Sequence, residues 1–208
     1  YAEVAQYAGL EASEWSWAPL FLDVDLDGYE DLLVANGFER DNMNVDVQNR
    51  INQAKAAGKV RSREELLLRR MFPRLATENF AFRNIGGLRF DEVGRQWGFN
   101  AATISQGACL ADLDNDGDLD VVLNNMNAAA GLFRNDCPAP RLDVRLKGAP
   151  PNTRGIGAKI RVSGGAVSQQ SQELISGGRY LSSDDAMRVF AAGSSTNHLT
   201  IEVTWRSG

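Results

Sequence analysis

The sequence predicts a mainly β protein, with blades of a partial β-propeller carrying one helical insertion and then a small antiparallel β-sandwich-like domain. Three observations predict it. A block of sequence recurs 89 residues further along the chain. Each copy carries a D-x-D-x-D-G-x-x-D loop leading into a β-prone apolar stretch. From residue 137 onward the acidic loops stop, and apolar and polar residues alternate between Gly/Asn/Ser turns.

The repeat comes first in the chain. YAEVAQYAGL at 1–10 matches FDEVGRQWGF at 90–99, and Asp23 stands to Asp112 at the same offset of 89. Between these landmarks WSWAPLFLDVD and ISQGACLADLD each run a strand into the acidic loop. Such self-similarity marks units that cannot bury their apolar faces alone, and four-stranded units arranged radially make a propeller. Two blades cannot close a ring, so a longer parent chain is expected to hold the others. The repeats span 1–136, with an insertion at 44–76 explaining the long period. Within it Ser62 and Glu65 form a capping box, Leu66–Leu68 begin an apolar face and Pro73 stops the helix. The insertion is basic through Arg61, Arg63, Arg69, Arg70 and Arg74, and reads as a docking arm for an acidic partner or as a helical decoration.

The loops carry the chemistry. The first places Asp23, Asp25, Asp27 and Asp31 at positions 1, 3, 5 and 9, and the second places Asp112, Asp114, Asp116 and Asp120 there. Alternate carboxylates converge on one point when the chain curls, and a glycine at position 6, here Gly28 and Gly117, permits the turn. Position 7, Tyr29 or Asp118, offers its backbone carbonyl. A shell of hard oxygens suits Ca²⁺, whereas Zn²⁺ favours His or Cys and Mg²⁺ keeps more water. Two Ca²⁺ sites are expected. An EF-hand needs Glu at position 12, where this chain has Val34 and Leu123. The residues after each loop, LLVAN and VVLNN, read as strand.

With NFAFRNIGGLRFDEV (79–93) and its echo LFRND (132–136), these loops resemble the FG-GAP or VCBS repeats of integrin-type β-propellers. The resemblance implies Ca²⁺ ligation by the side chains of Asp23, Asp25, Asp27 and Asp31 and the carbonyl of Tyr29. In the second copy it implies Asp112, Asp114, Asp116 and Asp120, with the carbonyl of Asp118.

The domain at 137–208 alternates Leu142, Val144, Leu146, then Ile160, Val162, then Leu199, Ile201, Val203, Trp205, the period of an antiparallel sandwich. Its order of NTRGIGAK (152–159), SGGRYLSSDD (176–185) and VTWRSG (203–208) resembles the ASPIC/UnbV domain. That domain follows FG-GAP repeats in bacterial proteins and in cartilage acidic protein. The chain departs from its pattern at Phe190-Ala-Ala-Gly193 and at Arg206-Ser207. The resemblance supplies a fold and little chemistry.

Charge narrows the function. Residues 1–137 hold 13 basic and 22 acidic side chains, and residues 138–208 hold 9 and 5, so a repeat region at −9 precedes a domain at +4. Filled with two Ca²⁺, the net −5 becomes −1. An acidic chain argues against nucleic acid, and no apolar run reaches the roughly 20 residues of a membrane helix. His198 stands alone in a polar turn, no phosphate loop appears, and no catalytic residue is assigned. Cys109 reads as a buried thiol, with pairing to Cys137 left open. Trp15 and Trp17, on one side of a strand, offer either blade core or a sugar-stacking platform. The expected function is a calcium-binding, non-enzymatic recognition or adhesion module, exported to the cell surface or beyond, for a glycan or surface protein. The alternative is part of a propeller enzyme acting on polysaccharide, its active site largely in missing blades.

Overall fold

Apolar residues at alternate positions of Ser16–Leu22 turn Ala18, Leu20 and Leu22 inward and leave Pro19 and Phe21 exposed. The computed structural model describes residues 1–58 and 65–206. In it a single turn, α1 (Ala5–Ala8), leads to β1 (Ser16–Leu22), which pairs antiparallel with β2 (Asp31–Asn36). The insertion comes next, with α2 (Val45–Ala56) and α3 (Glu65–Leu68). The chain then forms β3 (Thr77–Glu78), β4 (Phe80–Asn84) and β5 (Phe90–Glu92). The first sheet has the order β1-β2-β4-β5, antiparallel throughout. Pro19, which has no N–H to give, sits on its edge strand.

The insertion is tied at its base, where Phe38 and Leu75 exchange two backbone hydrogen bonds of 2.8 and 3.2 Å. Helix α2 begins at Asn44, whose side chain accepts the Val47 N–H at 3.1 Å. Val47 and Ile51 bury themselves against Phe72, with Leu68 alongside, in a small core of their own. Ser62, which the expected capping box with Glu65 needs, lies outside the described residues, as do Arg61 and Arg63.

The second repeat runs through β6 (Ala102–Thr103), β7 (Ser105–Ala111), β8 (Asp120–Asn125) and β9 (Gly131–Phe133). Strand β6 pairs with β3, and the sheet order is β7-β8-β9. All six Cα partners of β1 and β2, from Ser16↔Asn36 to Leu22↔Asp31, recur 89 residues on, from Ser105↔Asn125 to Ala111↔Asp120. Even the irregularity after the first residue repeats. At the next strand Leu32↔Phe82 corresponds to Val121↔Phe133, so the offset falls from 89 to 51. The 38 residues without a counterpart all lie between β2 and β4.

The remaining strands are β10 (Arg141–Arg145), β11 (Lys159–Ser163), β12 (Gln169–Glu173), β13 (Gly178–Arg179), β14 (Ser182–Ser183), β15 (Met187–Ala191) and β16 (Thr200–Thr204). Strand β10 pairs with β15, β11 lies between β12 and β16, and β13 and β14 form a short hairpin. Leu142 and Val144 on one sheet face Ile160, Val162 and Val203 on the other across a core closed by Leu174 and Phe190.

Strand β15 joins the two halves of the molecule. All five of its residues are buried. Phe190 enters the C-terminal core, whereas Met187, Val189 and Ala191 enter the core of the repeats beside Leu20, Leu22, Ala108, Leu110 and Val121. One edge of β15 pairs with β10. On the other, Gln170 exchanges two 2.8 Å hydrogen bonds with the Ala191 backbone and Gln172 donates to the Val189 carbonyl at 2.8 Å. The described residues thus form a mainly β structure of several antiparallel sheets, none closed into a barrel. No helix among them is long and apolar enough to cross a membrane.

Candidate metal centre

The two acidic loops curl alike. Gly28 and Gly117 take left-handed φ values of 97° and 92°, and position 4 is left-handed too, at Leu26 (53°) and Asn115 (63°). Asparagine tolerates that region, whereas Leu26 is held there with its side chain buried in the repeat core. The Gly28 N–H donates to Asp23 at 2.9 Å, and the Gly117 N–H donates to Asp112 at 3.3 Å. The position-7 N–H groups of Tyr29 and Asp118 donate to Asp27 and Asp116 at 2.9 and 3.0 Å. These bonds gather Asp23, Asp25 and Asp27 so that one oxygen of each lies within 4.8 Å of the others, and they do the same for Asp112, Asp114 and Asp116.

The position-9 aspartates are held by backbone N–H groups beside these triads. Asp31 accepts the Val24 N–H at 2.9 Å and the Asn84 N–H at 2.8 Å, one on each oxygen. Asp120 accepts the Leu113 and Asn135 N–H groups, both at 2.8 Å. Both aspartates are buried. Each locks the loop to the strand that succeeds it in the sheet, through the asparagine of a repeated Phe-Arg-Asn at 82–84 and 133–135. The echo of AFRN in LFRN is the sequence signal for this contact.

Three carboxylates so close resist sharing a site. Two unit charges 4.8 Å apart repel by about 3 kcal/mol at an effective dielectric near 20. Burial pushes Asp23 up to about 7, with Asp27 adding to the rise against the backbone N–H groups of Gly28 and Asp27. It raises Asp31 to about 6, although the Asn84 and Val24 N–H groups pull the other way. Asp25 is raised for the same reason, with the charge of Asp27 second. Each triad also contains a buried carboxylate oxygen without a hydrogen-bond partner, Oδ1 of Asp25 in the first and Oδ1 of Asp112 in the second. An all-oxygen donor set with an orphaned oxygen in each copy fits a hard divalent cation.

The surroundings differ. In the first loop Arg83 meets Asp25 at 2.6 Å, the Asn135 side chain donates to the Val24 carbonyl at 3.0 Å, and the Cys137 thiol donates to the Asp25 carbonyl at 3.3 Å. Val167 presses on Gly28 so closely that a Cβ there would sit 2.7 Å from its methyl group. In the second loop Arg134 stands 3.9 Å from Asp114. Arg141, from β10, reaches Asp118 at 2.5 Å and Asp116 at 3.3 Å. Asp118 is 1% exposed, and burial lifts it to about 7 despite Arg141. Its side chain is an anchor for the C-terminal strands, a role that a position-7 residue does not announce.

The other candidates fall elsewhere. Trp17 stacks on Phe38 at 5.6 Å and 9°, leans on Tyr180 at 5.1 Å and donates to the Gly37 carbonyl at 2.6 Å. Trp15 packs on the same Phe38 at 4.7 Å and stays 38% exposed. His198 is exposed, and the Ser194 hydroxyl pairs with Thr196. Cys109 and Cys137 are free, half-buried thiols, each raised by burial.

The family model described as ASPIC and UnbV matches residues 148–208. No curated protein matches the chain. Strand β10 precedes the matched segment yet pairs with β15 inside it. The conspicuous motifs of that segment divide the work. Gly155 leaves room for Trp205, whose ring would lie 3.0 Å from a Cβ there. SGGRYLSSDD clasps the repeats: Arg179 pairs with Asp184, Asp184 accepts the Leu110 N–H at 3.0 Å, and the Asp185 N–H donates to the Leu110 carbonyl at 2.9 Å.

Proposed function

We propose that the chain is a calcium-stabilised, non-enzymatic recognition module, exported from the cell, in which FG-GAP/VCBS-type blades carry an ASPIC/UnbV domain. One observation carries the reading: two loops of the same spacing each gather three carboxylates within 4.8 Å, and each gathering includes a buried oxygen without a partner. Asp23, Asp25 and Asp27 hold one Ca²⁺, and Asp112, Asp114 and Asp116 hold the other. The carbonyls of Tyr29 and Asp118 complete the shells. Asp31 and Asp120 close the shells by their side chains, while the same carboxylates accept backbone N–H groups that shape the loops. The ion's part is structural, cancelling the mutual repulsion of the carboxylates and fixing the turn between two strands.

Export follows from the millimolar calcium outside cells, and recognition from the rigid loops that such sites leave at a sheet's end. With free Ca²⁺ at about a hundred times Kd, each site adds about 2.7 kcal/mol. The test is a melting series on protein shown by metal analysis to start calcium-loaded. Excess EGTA is expected to lower the melting temperature sharply and added Ca²⁺ to restore it. An unchanged curve contradicts the proposal.

A further inference from the structure

Where the insertion meets both repeats, a cavity of about 410 Å³ opens, a size suited to a small ligand. Its walls come from parts of the chain far apart in sequence. Trp17 lies on β1, Arg40 lies just beyond β2, Arg69 and Arg70 end the insertion, and Gln106 lies on β7. Three arginines and one acidic residue, Glu39, line it. Arg40 is fixed by donating to the Phe72 carbonyl at 3.0 Å. The Trp17 ring is fixed by Phe38 behind it and by its bond to Gly37. The side chains of Glu39, Arg69, Arg70 and Gln106 make no hydrogen bond or ion pair among the described residues. The second repeat has no equivalent of the insertion, so the site exists once.

We propose that this cavity binds an acidic saccharide unit, a sugar ring bearing a carboxylate or sulfate. The lining matches that chemistry in each part. Guanidinium forks take a carboxylate or sulfate through paired charge-assisted bonds. The Gln106 amide both donates and accepts, as sugar hydroxyls require. Trp17 adds apolar surface for the C–H groups of the ring. The excess of cations over Glu39 disfavours neutral sugars. The proposal rests on the recognition reading above but needs no ion at either loop.

Calorimetric titration of the intact chain in calcium-containing buffer tests it with four probes. They are hexagalacturonate, a sulfated heparan hexasaccharide, neutral cellohexaose and a hexaglutamate peptide. At least one acidic saccharide is expected to bind, and its identity tells carboxylate from sulfate. Cellohexaose and the peptide are expected not to bind comparably. Arg69→Gln with Arg70→Gln, two exposed positions, is expected to weaken binding at least about ten-fold with an unchanged melting temperature. Binding of neither acidic saccharide, equal binding of cellohexaose or of the peptide, or an unaffected double variant overturns the proposal. Melting the same samples with and without EGTA judges the cation reading separately.

Discussion

Asp23 and Asp112 open loops of one spacing, with the same left-handed glycine and the same locking aspartate behind them, yet only the first is buried. The first loop is roofed by Val167 and by the link at Asn135–Cys137, and Leu26 pins it into the core. The second stands open, its Asp114 and Asp116 exposed, and is steadied by Arg141 through Asp118. The difference teaches that the motif fixes the gathering of carboxylates, whereas neighbours decide what that gathering costs without a cation. Both loops hold a guanidinium against a carboxylate, but Arg83 on Asp25 is 47% exposed, whereas Arg141 on Asp118 is 20% exposed and meets a carboxylate of 1% exposure.

The largest expected effect breaks what the loops share. Asp31→Ala and Asp120→Ala each strand two backbone N–H donors, at about 1–3 kcal/mol apiece. Chemical denaturation is expected to show losses of about 2–6 kcal/mol, alike in the two loops. A large loss in one and none in the other would break the equivalence.

The next effect separates the loops. Arg141→Gln leaves a carboxylate of 1% exposure uncompensated and is expected to cost about 3 kcal/mol. Arg83→Gln removes a partner that is 47% exposed and is expected to cost under about 1 kcal/mol. Equal losses would mean that burial does not set the difference.

A smaller effect is the pH dependence of the chelated protein. A carboxyl whose pKa is higher folded than unfolded stabilises the fold while protonated, and loses that contribution as pH rises through the folded value. Asp31 at about 6 and Asp23 at about 7 set the window. In EGTA the melting temperature is therefore expected to fall as pH rises through 6 and 7, and Asp23→Asn to flatten the fall. The rise on adding Ca²⁺ should be larger above pH 7 than below 6. A chelated protein that gains stability across this window contradicts the assignment.

Much of this is legible in sequence because it is local. Spacing alone marks Asp23, Asp25 and Asp27 and their counterparts, and the offset of 89 read from sequence recurs in the strand register. Alternation marks β10, β11 and β16 of the last seven strands. The features that escape are long-range. The second task of the position-9 aspartates escapes because only the fold brings Asn84, 53 residues on, to Asp31. Nothing local in Met187–Ala191 says that the two faces of this strand serve different cores. Gln170 and Gln172 look like solvent-facing amides until β15 lies beside them. Helix α2 starts at Asn44, whose cap competes with the louder signal near Ser62.

The central claim is that each triad is a cation site in its own right. Calorimetric titration of stripped protein with Ca²⁺ measures this directly, with Asp25→Asn/Asp27→Asn and Asp114→Asn/Asp116→Asn as partners to the unaltered chain. Two equivalents are expected for the unaltered chain and one for each double variant. Two equivalents retained in either variant, or none taken up by the unaltered chain, would contradict it.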